Sequence, residues 1–343
     1  MTRRVGLSRR RSQPGQRRLP GGATLTAALY GRPGVDFPHL LDYLAGFRAG
    51  RIKGDAEPTT SSPLPAILYS DADGGIAQLG FDRAMPTFVA RAQELGLALF
   101  TQGNSYTTGE LGDYVRRLAL EGLVAFAVSN SPAVVAGAPR GQAVFGTSPL
   151  AFAAPLADPG APLVIDQATS ATAFVSLSQA AAEGRQIPEG WAIDERGEVT
   201  TDAAAVLRGA LLTFGGAKGA NLALMVECLA AGLSGAAWSL DMPDFQNGDQ
   251  PIDAGMTIIA IQPSVIDEGF SSRFTRQLDR IAERGVYVPG RRQVRPHVSE
   301  KGQVAIDTVV LEETRHYLAK ADDEALRRFR DWFMTESGVS ITA

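Results

Sequence analysis

One cysteine in 343 residues, Cys228, excludes an internal disulfide and is compatible with a reducing compartment. It lies within the apolar run 222–233, where a buried structural thiol is the expectation. No apolar run is long enough to span a bilayer, which predicts no membrane partner. The basic start also lacks the apolar segment that a secretory signal needs, so the expected location is cytoplasmic. No grouping of histidine, cysteine and aspartate has the spacing of metal ligands, and no metal is expected. Acid is missing from residues 1–20, which carry seven arginines: Arg3, Arg4, Arg9, Arg10, Arg11, Arg17 and Arg18. The rest of the chain is therefore more acidic than the net charge of −4 suggests, which argues against nucleic acid as its main partner. The arm itself reads either as a nucleic-acid or targeting tail or as a bland unstructured extension. Finally, the Gly-x-Gly-x-x-Gly fingerprint of the doubly wound dinucleotide fold is absent; Gly74-Gly75-Ile76-Ala77-Gln78-Leu79-Gly80 has the wrong spacing.

What is present is an ordinary globular composition, 45% hydrophobic and 20% charged, in a chain long enough for two domains or one large one. Residues 42–51 read as the end of a helix closed by Gly50, and 57–65 as an extended stretch. A strand at 66–70 precedes an Asp-Ala-Asp-Gly-Gly turn in which Asp73 is a turn former. Residues 81–95 have helical spacing and stop at Gly96. Strands at 97–101, 123–129, 163–166 and 256–261 alternate with helices at 110–120, 171–183 and 270–284. A strand into a turn at 286–290 and helices at 316–320 and 325–334 follow. The longest apolar helix spans 218–233; inside it Glu227 is a carboxylate in an apolar setting, for which a structural ion pair is expected. Alternation without internal repeat indicates an α/β class.

Three stretches carry chemistry: Phe145-Gly146-Thr147-Ser148-Pro149 through Pro155, Asp166-Gln167-Ala168-Thr169-Ser170, and Phe214-Gly215-Gly216-Ala217-Lys218-Gly219. Each reads as a turn of small residues with open backbone N–H groups and short hydroxyls. Such turns form anion-binding concavities, and the lysine adds positive charge at the start of a helix. Together they point to a phosphate-bearing cofactor and hence to an enzyme.

In this order the stretches resemble the type-2 malate/L-lactate dehydrogenase family of NAD(P)-dependent oxidoreductases. That family includes sulfolactate and ureidoglycolate dehydrogenases, diketogulonate reductase, and reductases of cyclic 2-imino acids such as piperideine-2-carboxylate. The likeness runs from about residue 31 to 296 and is densest over 122–235. It implies a non-Rossmann α/β fold, a largely antiparallel sheet flanked by helices, with a helical domain drawn from both chain ends. The implied division is a basic arm at 1–22, a helical and dimerisation domain at 23–64 plus 291–343, and a cofactor-binding domain at 65–290. A homodimer, with the active site near the subunit junction, is the implied assembly.

The resemblance assigns NAD or NADP binding to Ser131, to Thr147, Ser148 and Pro149 (Thr-Asn-Pro in the family), and to Asp166, Ala168, Thr169 and Ser170. It adds Lys218 and Gly219, and a late turn at Gly290 with Arg291 or Arg292 beside it. The catalytic end departs from the pattern. The family's Ser-His-Gly and its arginine four residues on fall on Gly34-Val35-Asp36 and His39, with the spacing to Tyr43 kept. His39 is then a proton donor, a weaker carboxylate clamp than guanidinium, or a plain surface or subunit-contact histidine. The family's acid/base histidine falls on Thr107 in Asn104-Ser105-Tyr106-Thr107-Thr108-Gly109. Threonine does not titrate near neutral pH, which leaves Tyr106, or water relayed through Thr107 and Thr108, to supply a proton. His297 and His316 lie outside the matched motifs. The implied reaction is hydride transfer between a nicotinamide and a small 2-oxo or 2-hydroxy acid. The alternatives are reduction of cyclic 2-imino carboxylates, where an iminium arrives already protonated, and a cofactor-binding member with impaired turnover.

Overall fold

The computed structural model describes residues 2–7, 37–244, 250–289, 303–307, 310, 312–314, 316 and 339–340. The chain starts in a strand, β1 (Thr2–Leu7), rather than in an unstructured arm; residues 8–22 of that arm lie outside the described residues. Helix α1 (Phe37–Arg48) buries Leu40, Tyr43 and Leu44, a three-and-four spacing that puts them on one face. It stops at Gly50, whose φ of +72° suits glycine.

β2 (Thr59–Leu64) and β3 (Ile67–Asp71) form a hairpin, so residues 59–64, assigned by resemblance to the helical domain, extend the main sheet. α2 (Ala77–Leu95) buries Phe81, Ala84, Phe88 and Ala92 and ends at Gly96, φ +81°. β4 (Leu97–Ser105), α3 (Leu111–Leu120) and β5 (Val124–Ser129) follow. Next come the short β6 (Val135–Ala136) and β7 (Ala143–Phe145), then β8 (Leu150–Ala154) and β9 (Leu163–Gln167). The stretch from Phe145 to Pro155 is thus a true turn only at 146–149; its apolar ends are strands.

Beyond β9 lie α4 (Phe174–Ala182), β10 (Ala192–Ile193), α5 (Ala203–Val206), β11 (Ala210–Leu212) and α6 (Ala217–Glu227). β12 (Ala254–Ile261) and α7 (Phe270–Ala282) complete the centre, and β13 (Gln303–Asp307) and β14 (Val339–Ser340) flank β1. Both chain ends therefore contribute strands as well as the helical residues near 312–316. Residues 286–288 form no strand, and 317–334 lie outside the described residues.

The main sheet has seven strands in the order β2-β3-β4-β12-β5-β8-β9, and β3–β4 is its one parallel pair. β12, late in sequence, sits at the middle, with Ile258 opposite Phe100 on one side and Ala127 on the other. Side chains alternate across the sheet, as a pleat requires. Ala125, Ala127, Ala151 and Ala153 join Phe81, Phe88, Phe100, Tyr114 and Leu118 under α2 and α3. Phe126, Val128 and Phe152 face the opposite side, toward Val226 and Ala230 near α6 and toward Phe274 and Leu278 of α7. A four-stranded sheet, β10-β11-β6-β7, builds a second core with α4 and α5 around Val135, Leu177, Ile187 and Leu211. The non-Rossmann, largely antiparallel architecture is therefore as expected.

The apolar helix expected over 218–233 is broken in type. α6 gives way at Cys228–Gly232 to a π turn. Gly255 of β12 presses so close that a Cβ there would lie 2.4 Å from the Ala230 carbonyl. The wide turn's carbonyls are met by side chains: Thr257 Oγ1 donates to Leu229 O at 2.6 Å and Ser234 Oγ to Ala230 O at 2.5 Å. One consequence is that Cys228 faces outward and is exposed, which overturns the expectation of a buried thiol.

Candidate active site

The three small-residue stretches come together through their backbones. Thr169 donates to the Thr147 carbonyl with both its N–H, at 3.0 Å, and its Oγ1, at 3.2 Å. Phe214 N–H in turn donates to Thr169 O at 2.9 Å, and Ser170 bridges to Thr213. The Phe214 turn leads straight into α6: Gly215 and Gly216 have φ near +60°, and a Cβ on either would meet nothing within 4 Å. Open space therefore lies over the positive end of the helix dipole. Lys218 is exposed beside it, and among the described residues no carboxylate is paired with it. Gly219 is obligatory for another reason, since its Cβ would fall 2.1 Å from the Phe214 carbonyl.

Ser131 sits against Gly146, where a Cβ would come within 2.3 Å of Ser131 Oγ. Ser148 adopts φ +43°, a left-handed conformation that asparagine takes more readily than serine. It is buried and its hydroxyl reaches Gly146 O at 3.3 Å. Pro149 O accepts the N–H of Ser129 at 3.2 Å, and Ser170 Oγ donates to Thr172 O at 2.7 Å. Asp166 accepts the N–H of Gly112 at 2.8 Å and so caps the first turn of α3; Ala168 is half-buried beside Thr169. Gly290, Arg291 and Arg292 lie outside the described residues, as do Val35 and His297.

The other half of the site centres on Tyr43, on the buried face of α1. Its hydroxyl accepts from Gln78 Nε2 at 3.0 Å and from Thr107 Oγ1 at 2.9 Å. Gln78 also donates to Thr108 O at 3.3 Å. Gly109 makes room: its φ is +65°, and a Cβ would sit 2.8 Å from the Gln78 amide. His39, one turn before Tyr43, packs edge-on against the phenol with ring centroids 4.9 Å apart, and its Nδ1 meets Asp42 Oδ2 at 3.1 Å. The segment carrying Thr107 is aimed by Asn104, which has φ +55°. The Asn104 N–H donates to Asp253 at 2.6 Å and its amide to Asp71 at 2.8 Å.

Burial raises the Tyr43 phenol above its ordinary value, although the hydrogen bonds from Thr107 and Gln78 pull the other way. Tyr106 is buried among Ile52, Ile76 and Ile252, and desolvation pushes it up to about 12 while the Arg51 charge opposes the shift. Both phenols are held neutral at physiological pH, and Tyr106 belongs to the core rather than to an open face.

A continuous set of contacts joins the two halves. Thr108 Oγ1 donates to Ser129 Oγ at 3.1 Å, and Ser129 N–H reaches the Pro149 carbonyl, beside Thr147, Thr169 and the Lys218 turn. His39 and Thr107 thus gather at Tyr43, while Thr147, Ser148, Thr169 and the Lys218 turn form a second cluster linked to the first through Thr108, Ser129 and Pro149; Tyr106 lies in the core. Gln78 is a residue that the sequence reading passed over. Its signal was a polar side chain three positions before Phe81, on the apolar stripe of α2. Glu227 also differs from expectation: it accepts from Ser239 N–H at 2.6 Å and Ser239 Oγ at 2.8 Å, not from a cation. Among the described residues no group of histidine, cysteine, aspartate and glutamate could hold a metal, and no helix is long and apolar enough to cross a membrane.

A family model described as malate/L-lactate dehydrogenase matches residues 23–314. The chain belongs to the malate/L-lactate dehydrogenase family. It is 37% identical over 282 residues to the Delta(1)-pyrroline-2-carboxylate/Delta(1)-piperideine-2-carboxylate reductase of Pseudomonas aeruginosa, covering 81% of this chain and 83% of that one. It is 35% identical over 278 residues to the (2R)-3-sulfolactate dehydrogenase (NADP(+)) of Chromohalobacter salexigens, covering 80% and 83%. In three dimensions it is similar to the crystal structure of delta1-piperideine-2-carboxylate reductase from Pseudomonas syringae pvar. tomato. That match has a TM-score of 0.78 and 31% identity over 86% of this chain and 90% of the other. The protein is an oxidoreductase of this family, whose dehydrogenases and reductases are nicotinamide-dependent.

Proposed function

We propose that the protein reduces a cyclic 2-imino carboxylate with NADH or NADPH. The open space over Gly215 and Gly216, the exposed Lys218 and the hydroxyls of Thr147 and Ser131 fit a dinucleotide diphosphate. When bound, the nicotinamide supplies the hydride that turns a C=N bond into an amine. The chain's own residues then need to orient the substrate and leave its proton in place.

The observation that carries this reading is the Thr107 hydrogen bond. Its hydroxyl hydrogen is committed to Tyr43, so it offers lone pairs to whatever lies in front of it. An iminium N–H is a donor and suits those lone pairs, whereas the carbonyl oxygen of a 2-oxo acid is an acceptor and does not. Tyr43 and Tyr106 are both held neutral by burial, so neither is a titrating acid near pH 7. An iminium carries its own proton and requires none.

A second reading, reduction of a 2-oxo acid of the malate, lactate or sulfolactate kind, rests on His39. Its imidazole lies against Tyr43 with Asp42 on Nδ1, an arrangement suited to proton donation. The assembly we propose is a homodimer: Leu224, Met225, Leu233 and Trp238 present an exposed apolar face around the end of α6. A cytoplasmic location accords with this chemistry.

The test is steady-state turnover of the full chain with NADH and with NADPH against pyrroline-2-carboxylate, piperideine-2-carboxylate and a panel of 2-oxo acids. Imino acids are expected to win by about tenfold or more in kcat/KM, a difference of ~1.4 kcal/mol in transition-state binding. Faster turnover of an oxo acid would hand the site to His39. Tight dinucleotide binding with no turnover on any of them would mark a member with impaired catalysis.

A further inference from the structure

Glu227 is buried at the end of α6, on a stretch of helix that also buries Ala223, Val226 and Ala230. A carboxylate in such a setting costs free energy that a leucine would not, so its partners need an account. Both of its oxygens are spent on a single residue, Ser239, through the N–H and the hydroxyl. Ser239, itself buried, passes the constraint on: its carbonyl accepts the N–H of Ala133 at 3.1 Å. Two residues earlier in that loop is Ser131, pressed against Gly146. The same loop is held from below by Asn130, whose amide donates to Ala237 O at 2.9 Å and accepts from Gly255 N–H at 2.8 Å.

At its other end α6 begins with the Gly215–Gly216 turn and Lys218. Nine residue steps of helix, about 14 Å of rigid rod, carry the chain from Lys218 to Glu227. We infer that Glu227 is a positioning residue for dinucleotide capture: it fixes the helix that starts at Lys218 to the loop that carries Ser131. The inference rests on the proposed dinucleotide site. Without that tie the Lys218 turn and the Ser131 loop remain linked through Phe214, Thr169, Thr147 and Gly146, but the loop at 236–241 loses its two hydrogen bonds to α6.

The experiment measures Kd for NADPH and NADH by calorimetry on the full-length wild type and on Glu227→Leu, Glu227→Gln and Ser239→Ala, with substrate KM and kcat at saturating dinucleotide. Glutamine keeps an acceptor for the Ser239 N–H and lets the Ser239 hydroxyl accept in place of donating, so Glu227→Gln stays within about threefold of wild type. Glu227→Leu is expected to weaken dinucleotide binding about tenfold or more, and Ser239→Ala about threefold, with kcat at saturation nearly unchanged. Equal Kd values in wild type and Glu227→Leu, or a loss confined to kcat, would overturn the inference. Should Glu227→Leu fail to fold, Glu227→Ala takes its place, and a Kd equal to wild type in both Glu227→Ala and Ser239→Ala overturns the inference. A wild type that binds neither nucleotide would sink the proposed function itself, a result distinct from wild-type binding that the variants leave intact.

Discussion

The two ends of the site are built from different material. The proposed dinucleotide end is backbone: carbonyls, N–H groups and glycines at Thr147, Thr169, Phe214 and Gly219. The Tyr43 end is side chain: a phenol, an amide and a hydroxyl meeting at one oxygen. Where recognition runs through the main chain, a side chain can be exchanged at little cost. Ser148 occupies a left-handed position, to which the resemblance assigns asparagine, and the turn still closes on Thr169. Where recognition runs through side chains, an exchange changes the chemistry. If Thr107 stands where the resemblance places an acid/base histidine, a titrating group has given way to a hydroxyl oriented by Tyr43.

The largest effect expected from breaking this contrast is at Gly219. In Gly219→Ala the new Cβ lies 2.1 Å from the Phe214 carbonyl, so the turn must open. We expect a loss of about 2–3 kcal/mol in denaturant-induced unfolding, together with loss of dinucleotide binding. A variant as stable as wild type would show that the turn is not held as tightly as the close approach implies.

A crossed pair of substitutions separates the two ends. Lys218→Ala is expected to weaken dinucleotide binding about tenfold while leaving the melting temperature of the ligand-free protein unchanged. Tyr43→Phe strips the shared acceptor from Gln78 and Thr107 and is expected to lower kcat about fivefold, roughly 1 kcal/mol, with dinucleotide Kd unaltered. If Tyr43→Phe moves Kd and Lys218→Ala moves kcat, the division into a binding end and a chemical end is wrong.

The smallest effect near neutrality, and a growing one in alkali, comes from the phenols. Burial raises Tyr43, Tyr106 and Tyr114 above the ordinary value of 10.0, so the folded state holds protons that the unfolded chain releases first. Their contribution to stability is complete below pH 10 and is lost as pH climbs through about 12, the value for Tyr106. Chemical denaturation at stepped alkaline pH is expected to show a steep fall there, shallower in Tyr106→Phe.

Much of this fold is legible in the order of apolar residues. The stripe Phe81, Phe88, Ala92 specifies α2 despite Pro86 inside it, and Gly50 and Gly96 mark helix ends because glycine tolerates their positive φ. Less legible were features decided by partners distant in sequence. β8 looked like part of a turn because Leu150–Ala154 is short and alanine-rich; its pairing with β5 and β9 makes it a strand. The π turn at Cys228 depends on Gly255 and Thr257, which no local pattern reveals. The motif residues stood out by their glycines, hydroxyls and lysine, whereas Gln78 and Ser239 gave weak signals, since each acts through partners distant in sequence.

The wide turn after Glu227 leaves the chain's sole sulfhydryl pointing outward, next to Leu224 and Met225. That arrangement supplies a built-in reporter. A maleimide can react at one position per chain and nowhere else, so its rate gauges how open this apolar face is. Rapid labelling in dilute solution that slows as protein concentration rises would count subunit association directly, with no tag or engineered residue required.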